Sequence, residues 1–566
     1  MNFSKKASAT SVLDVVLSNT GKTAEELYDD VTKTYTIDKM PEAAATIKNA
    51  IFNGDKITIV GDYDADGITS CAILTLLFNT FGANPTFRLP KRFSEGYGLN
   101  ESIIDEIDSG LLITVDNGIT AYDAIKKAKD KGLTVIVIDH HLAPEDGILP
   151  PADIVIDPNA IENSATFPSY CGAGLSYKLA QEMLGNHAVL KKMVSLAAIG
   201  TIADVMPLIE DNRNIVRDGI KSMTTKDGRT SGLYALLNEC CLESYLNAKN
   251  IGFKIAPIIN APGRLFDDGA TKSLKVLAFD GDYQQAQSLA QQLVALNEER
   301  KTLAKEGTDA VEKSIQDDCL FGDCPMTVYH PGLPEGLVGI FAGRIAEKYG
   351  VPCIVLTDSE DPNIIKGSAR SVAGIHLKNL LDKNSNLLVK YGGHAEAAGL
   401  SLKKEDLEEF REKIQEGVEP PEITDNIIEY DLEISSNDIL ATIADIEKYG
   451  PFGEGNPEPV ILIKDLNLYP VPLGDSEFNS FAKTIGENKQ HLKLTAKDMD
   501  LVAFDKSEQY RAMHAPKRIN VVGNLSKNAW HKKITSQMEV IDFESAEEQK
   551  AKTSFAATLA SMAASR

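Results

Sequence analysis

Side chains that can bind metal follow three short apolar segments of this 566-residue sequence, at residues 57–60, 111–115 and 134–139. They are Asp62, Asp64 and Asp66 after the first segment, Asp116 after the second, and Asp139, His140 and His141 at the end of the third. Carboxylate oxygens with a few imidazoles suit Mn²⁺ or Mg²⁺ better than they suit structural zinc, which favours cysteine. This combination is typical of metal-dependent phosphoesterases.

The apolar segments alternate with helical patterns, which predicts parallel βαβ units with helices on both faces of a sheet. In such a sheet, ligands bind outside the carboxyl ends of the strands. The acidic and imidazole groups should therefore meet in one crevice, although they are far apart in sequence. Carboxylates crowded in this way repel one another unless cations neutralise them.

A single Asp after a strand is usually a turn former or a helix N-cap, and Asp157 before Pro158 is assigned to that class. The pattern of residues 62–67 also resembles the start of an EF-hand loop. An apolar helix stands where the distal glutamate of that loop would be, so calcium binding is not expected. Acidic groups at three consecutive strand ends are harder to explain as turns.

Residues 283–316 predict one long polar helix whose thin apolar stripe suits a helix that bridges two domains. A second α/β segment follows, and short alternating strands after Pro420 and Pro421 suggest a small antiparallel barrel. The predicted division is a first domain with N-terminal helices, a linking helix, a smaller α/β domain, a barrel and a tail. Their limits are 1–282, 283–318, 319–418, 422–545 and 546–566.

The composition, with 43% hydrophobic and 25% charged residues, is ordinary for a globular protein. A net charge of −24 argues against a protein that coats nucleic acid with its whole surface, but leaves room for a local basic track. No apolar stretch approaches the roughly 20 residues that span a bilayer. We therefore expect no membrane contact and a cytoplasmic location.

Four segments resemble, in the right order, the motifs of the DHH phosphoesterase superfamily: GDYDADG, TVDNGIT, IDHH and GTIADVMPL. Further segments resemble the RecJ branch of single-strand-DNA exonucleases: RFSEGYGL, CGAGLSYKLA, INAPGRL, GSARS, GGHAEAAGL and GPFGEGNPEP. This likeness covers about residues 50 to 545. It implies a DHH domain with a parallel sheet, a linking helix, a smaller α/β DHHA1 domain and an all-β OB-like domain.

The resemblance implies a site with two Mn²⁺ or Mg²⁺ ions, in which Asp116 bridges the ions and His141 contacts the scissile phosphate. The implied metal ligands are Asp62, Asp64, Asp66, Asp116, His140 and Asp204. The implied catalytic residues are Asp64, Asp66, Asp116, His140, His141 and Asp204. Val60 stands where many members of the superfamily have a histidine, which we interpret as a feature of the branch.

Some of the residues expected to bind substrate carry guanidinium or hydroxyl groups, which suit a phosphate. Others are aromatic or are flanked by glycines. The expected residues are Arg92, Asn260, Arg264, Ser368, Arg370, Ser371, His394 and Trp530. Trp530 would stack on bases in the OB-like domain, although a packing role fits it equally well.

The resemblance implies a 5′→3′ exonuclease that degrades single-stranded DNA to 5′-mononucleotides in repair, recombination or replication. A single-strand-binding protein or another replication or repair protein is a possible partner. The first alternative is an enzyme of the same superfamily acting on oligoribonucleotides or cyclic dinucleotides. The second is a RecJ-like replication scaffold without catalysis, which typically lacks some of the acidic ligands present here.

Overall fold

The computed structural model describes residues 3–6, 9–29, 32–144, 146–243, 245–372, 374–420, 427–530 and 533–547, with only the backbone of residues 28, 29, 529 and 530. The chain begins with a short strand and two helices, followed by a parallel sheet. These elements are β1 (Phe3–Lys5), α1 (Val12–Thr20) and α2 (Ala24–Asp29). The strands of the parallel sheet are β2 (Ile57–Val60), β3 (Thr86–Arg88), β4 (Leu111–Val115), β5 (Thr134–Ile138) and β6 (Ile154–Ile156).

The sheet has the order β3-β2-β4-β5-β6, and all its neighbouring strands are parallel. Its inner strands are continuous apolar runs because helices cover both faces. The predicted strands at 57–60 and 111–115 match β2 and β4. The helices that accompany the sheet are α3 (Met40–Asn53), α4 (Ala65–Thr80), α5 (Glu101–Asp105) and α6 (Tyr122–Asp130).

A helical layer completes the first domain and packs in one core with α3, α4 and one face of the sheet. Its helices are α7 (Gly172–Leu184), α8 (Leu190–Ala203), α9 (Glu210–Met223), α10 (Ser231–Glu239), α11 (Ala248–Asn250), α12 (Ala256–Leu265) and α13 (Ala270–Ala278). A π-helical turn, Ile251–Ile255, joins α11 to α12. Thirteen of the sixteen residues of α4 are buried between the sheet and this layer.

The long helix α14 (Tyr283–Asp317) confirms the predicted bridge between two domains. Ala286, Ala290 and Leu293 belong to the core of the first domain. Val311 and Ile315 belong to the core of the second. Each end of the helix therefore buries its thin apolar stripe in a different domain.

The second domain is a five-stranded sheet of order β10-β11-β9-β8-β7 with helices beside it. Its strands are β7 (Met326–Tyr329), β8 (Cys353–Asp358), β9 (Ile364–Arg370), β10 (Leu388–Gly393) and β11 (Ala397–Lys403). Its helices are α15 (Val338–Tyr349), α16 (Leu377–Lys383) and α17 (Leu407–Ile414). Strands β7 and β8 are parallel, whereas the other pairs are antiparallel.

The C-terminal domain is a barrel in which β14, β18, β19, β17 and β16 pair in turn, and β16 pairs back with β14. Its strands are β12 (Ile428–Tyr430), β13 (Leu432–Ile434), β14 (Val460–Tyr469), β15 (Ala482–Ile485), β16 (His491–Ala496), β17 (Met499–Ala503), β18 (Arg518–Trp530) and β19 (Lys533–Ser545). Its helices are α18 (Ile439–Tyr449) and α19 (Ser507–Ala512). The predicted fold class is thus confirmed, although β17 and β19 pair in parallel.

The first helices pack on the barrel, whereas the sequence analysis grouped them with the first domain. Strand β1 pairs with β12, and Val12, Val15 and Val16 of α1 share one core with the barrel. This contact joins segments separated by more than 400 residues, so no local pattern predicts it. The limits of the other domains remain a prediction.

Within the described ranges, no helix is long and apolar enough to cross a membrane. The predicted tail falls almost wholly outside those ranges, which end at residue 547.

We expect Val16→Ala to lower the free energy of unfolding of the barrel by about 1–3 kcal/mol, because it leaves a cavity at a fully buried position. Hydrogen exchange of the full chain should quicken in β14 and β18 and stay unchanged in β2 and β4. The exposed Ser18→Ala is the matched control on the same helix. Faster exchange confined to the first domain would contradict this packing.

Candidate metal centre and substrate cleft

The first acidic group is fixed by the turn from β2 into α4. Asp64 caps α4, and its carboxylate accepts hydrogen bonds from the backbone N–H groups of Asp66 and Gly67 at 2.9 and 3.1 Å. Asp62 is buried and accepts a hydrogen bond from the backbone N–H of Gly98 at 3.3 Å. Both carboxylates thus stay at the carboxyl end of β2.

Asp66 lies in the first turn of α4 and points at the N-terminus of α7. Its carboxylate accepts hydrogen bonds from the N–H groups of Gly172 at 2.6 Å and Ala173 at 2.9 Å. The partial positive charge of a helix N-terminus stabilises a buried anion there. The sequence analysis quoted the segment that contains Gly172 but assigned it no role in the metal centre.

Asp116 follows β4 in the left-handed region, with a φ of 61°, and is 2% exposed. His140 follows β5, and its Nε2 lies 3.0 Å from Asp116 Oδ1 and 3.7 Å from carboxylate oxygens of Asp66 and Asp204. Asp204 is the C-cap residue that follows α8. Four separate segments therefore supply one cluster.

Three groups of three side chains bring their ligand atoms within 4.8 Å of one another. They are Asp62, Asp64 and Asp116; Asp66, His140 and Asp204; and Asp116, His140 and His141. Asp116 and His140 each belong to two groups. The cluster includes every predicted metal ligand and adds His141 as a group that can also reach an ion.

The Asp139 carboxylate contacts both His140 and His141. Its Oδ1 lies 2.7 Å from Nδ1 of His141 and accepts a hydrogen bond from the backbone N–H of His140, while Oδ2 accepts one from Ile119. Burial lowers the pKa of His141, but the hydrogen bond to Asp139 and the negative charges of Asp139, Asp204 and Asp66 together outweigh burial and raise the pKa to about 9. Asp139 therefore orients His141 and lies outside the three groups.

The carboxylates of the cluster are buried and repel one another, so bound cations would stabilise their charged forms. Burial raises the pKa of Asp62, Asp64 and Asp116, and neighbouring carboxylates raise it further. The same two causes raise the pKa of Asp204 to about 8. Divalent cations would offset this charge, and the donor set of mostly oxygens with imidazole fits Mn²⁺ or Mg²⁺.

A cavity of about 500 Å³ lies between the first and second domains. Arg92, Arg264 and Arg370 line it together with Ser368. The Arg370 Nη1 donates a hydrogen bond to Ser368 Oγ at 2.8 Å. Burial and the neighbouring arginines lower the pKa of Arg264 to about 10. The three guanidinium groups thus lie close enough to repel one another, and a phosphate bound among them would offset their positive charge.

Three other predicted substrate contacts do not line this cavity. The Ser371 hydroxyl oxygen lies 2.5 Å from the backbone carbonyl oxygen of Ile375, to which it donates, and 3.0 Å from that of Val372. His394 is exposed at the tip between β10 and β11, and Asn260 lies one turn before Arg264 on α12. The side chain of Trp530, a fourth predicted contact, lies outside the described residues.

Two tyrosines complete the site and were missed by the sequence analysis. The Tyr97 hydroxyl lies 3.1 Å from both ring nitrogens of His141 and donates to the Asp116 carbonyl at 3.0 Å. The Arg92 guanidinium lies 4.5 Å from the centre of the Tyr63 ring. Both tyrosines lie inside quoted motifs, in GDYDADG and RFSEGYGL, and the position of Tyr63 between Asp62 and Asp64 was the available signal for the first of them.

Comparison with known families matches each domain in order. Residues 56–201 match the DHH family, N-terminal domain, residues 323–419 match the DHHA1 domain, and residues 430–542 match the RecJ OB domain. Together with the acidic cluster, this fold defines a metal-dependent phosphoesterase of the DHH and DHHA1 class.

Comparison with individual proteins places the chain in one family within this class. The chain is 34% identical over 89% of its length to the single-stranded-DNA-specific exonuclease RecJ of Bacillus subtilis (strain 168), of which it spans 63%. It is 33% identical over 80% of its length to the RecJ of Haemophilus influenzae, of which it spans 81%. The chain belongs to the RecJ family of single-stranded-DNA-specific exonucleases, and the expected resemblance is confirmed.

A solved structure supports the assignment. The crystal structure of RecJ from Thermus thermophilus in complex with Mn²⁺ matches with a TM-score of 0.73 and 27% identity. The match covers 94% of this chain and 75% of that one.

Gly172→Ala should disrupt the metal centre, since the added Cβ would lie 2.6 Å from Asp116 Cβ. We expect Mn²⁺ binding, measured by calorimetry, to weaken at least about tenfold, because the Asp116 carboxylate has to move. Gly343→Ala is the control, since its Cβ would meet Arg370 only at 3.8 Å. Unchanged Mn²⁺ affinity in a folded Gly172→Ala variant would show that this contact does not position Asp116.

Proposed function

We propose that this chain hydrolyses single-stranded DNA from the 5′ end and releases 5′-mononucleotides with two Mn²⁺ or Mg²⁺ ions. The observation that carries the proposal is the cluster itself, in which Asp116 is shared between two groups of ligand atoms. Asp62, Asp64, Asp66, His140 and Asp204 complete the proposed ligand set. All of these ligands are present, which favours a catalyst over a scaffold.

Two ions held there would activate a water and offset charge on the phosphate and the leaving oxygen. The chain's own part is to orient the reacting groups. Asp139 fixes the ring of His141 through Nδ1, and the His141 side chain is still 38% exposed. We propose that its Nε2 edge contacts the scissile phosphate, with the Tyr97 hydroxyl beside the ring at 3.1 Å from both ring nitrogens.

The cavity between the two domains is the proposed site for the 5′-terminal phosphate. Arg92, Arg264 and Arg370 provide planar donors that match phosphate oxygens. Tyr63 keeps the Arg92 guanidinium over its ring, and this ring also lines the cavity. A strand anchored by its 5′ end there would present its first phosphodiester bond to the metal centre, which accounts for the proposed direction.

We propose single-stranded DNA as the polymer substrate, guided by the OB-like barrel. We also propose a cytoplasmic location and a single-strand-binding protein, or another replication or repair protein, as a partner. The supports are family membership and the match of residues 430–542 to the RecJ OB domain. Asn260, Ser371, His394 and Trp530 stay proposed contacts for the strand beyond the cavity.

Asp116→Asn should reduce hydrolysis of 5′-labelled single-stranded DNA by on the order of 10³-fold or more, because it removes the shared charge of both ion sites. Binding of the same strand, measured by fluorescence anisotropy in EDTA, should change little. The exposed Asp108→Asn is a control with the same chemical change. A variant at Asp116 with wild-type turnover would rule out the proposed centre, and preference for a dinucleotide would point to the oligoribonuclease alternative.

Arg370→Ala should raise the KM for a 5′-phosphorylated strand roughly tenfold and leave the KM for a 5′-hydroxyl strand nearly unchanged, since only the former needs the guanidinium. Steady-state rates on both substrates test this, and Lys383→Ala is the control because this lysine is exposed in the same domain and does not line the cavity. Equal KM changes for both ends would contradict a 5′-phosphate site.

A further inference from the structure

A second cationic cavity lies on the first domain, away from the metal centre. It measures about 850 Å³ and is lined by residues at the start of α8, before α10 and at the start of α14. Asp204 lies at the opposite end of the 14-residue α8, so helix geometry separates this cavity from the metal centre by about 20 Å.

Four cationic side chains line this cavity: Lys191, Lys192, Lys226 and Arg229. Two acids, Asp227 and Asp280, also line it, and Lys192 forms an ion pair with Asp280. Among the described residues, no carboxylate lies within 4.0 Å of the Lys191 or Lys226 ammonium groups. The cavity therefore carries net positive charge on a chain whose net charge is −24, and it favours an anion.

Aromatic rings line the same cavity. The Arg229 guanidinium lies 4.1 Å from the centre of the Tyr234 ring, and Tyr234 packs against Tyr283 with ring centres 5.4 Å apart. Tyr283 is 36% exposed, so part of its ring is open to a planar ligand. Arg229 is half-buried, and this burial lowers the pKa of its guanidinium.

The cavity is held in place by hydrogen bonds to neighbouring backbone. Ser195 of α8 donates to the Gly228 carbonyl at 2.5 Å, and Arg229 Nη1 donates to the Met223 carbonyl at 2.7 Å. These bonds fix the loop that carries Lys226 and Arg229 without using the lysine ammonium groups. A site with fixed donors loses less entropy when it binds a ligand.

We infer that this cavity binds a nucleoside 5′-phosphate, with the phosphate among Lys191, Lys226 and Arg229 and the base against Tyr283. A bare anion would use the cations but not the rings, and an apolar ligand would use the rings but not the cations. The volume lies in the range of small-ligand pockets, roughly 300–1,000 Å³. The inference is independent of DNA cleavage at the metal centre.

The test is hydrogen exchange of the full chain in EDTA with increasing 2′-deoxyadenosine 5′-monophosphate. We expect slower exchange in peptides covering residues 226–234. The double variant Lys191→Glu and Lys226→Glu should need at least about tenfold more nucleotide for the same protection, because it reverses two charges at the phosphate. Lys48→Glu, exposed on α3 and outside the cavity, should behave like the wild type.

Parallel titrations with deoxyadenosine, inorganic phosphate and an oligothymidylate identify what is recognised. Weaker protection by deoxyadenosine and by phosphate than by the nucleotide would support the inference. No protection at 226–234, equal protection in the double variant, or full protection by phosphate alone would overturn it. Protection by the oligonucleotide only would also overturn it, since that result would define a strand-binding surface.

Discussion

The repulsion among buried carboxylates is the constraint on which the rest of this structure depends. Asp62, Asp66 and Asp116 are each 2% exposed, and Asp64 and Asp204 lie beside them. Removing charged groups from water is costly unless opposite charge or hydrogen bonds compensate. Divalent cations would supply opposite charge, and the surrounding helices donate hydrogen bonds.

The fold places helix N-termini beside the acidic side chains and lets neighbouring helices pack close to them. The N-terminus of α7 donates two hydrogen bonds to Asp66, and the backbone of α4 donates two to Asp64. Close approach requires small residues, since a Cβ at Gly200 would lie 2.6 Å from Asp66 Oδ1. The cluster therefore depends on helices α4, α7 and α8 as much as on the strands that carry most of its acids.

Sequence patterns predicted β2, β4 and α14 well because continuous apolar runs and helical periodicity are local signals. The same patterns predicted that the acidic residues lie at one edge of the sheet, because the carboxyl ends of parallel strands lie together. Packing of α1 on the barrel could not be predicted, because its partner strands lie far away in sequence. Ser371 and His394 show the same limit, because a sequence motif gives the residue types, whereas the fold decides which side chains line the cavity.

Anomalous diffraction at the manganese edge, from crystals of this chain grown with Mn²⁺, tests the central claim most directly. The account predicts two peaks that share Asp116, one also contacted by Asp62 and Asp64 and the other by His140. Absence of any peak at Asp116, with manganese bound elsewhere on the chain, would contradict it.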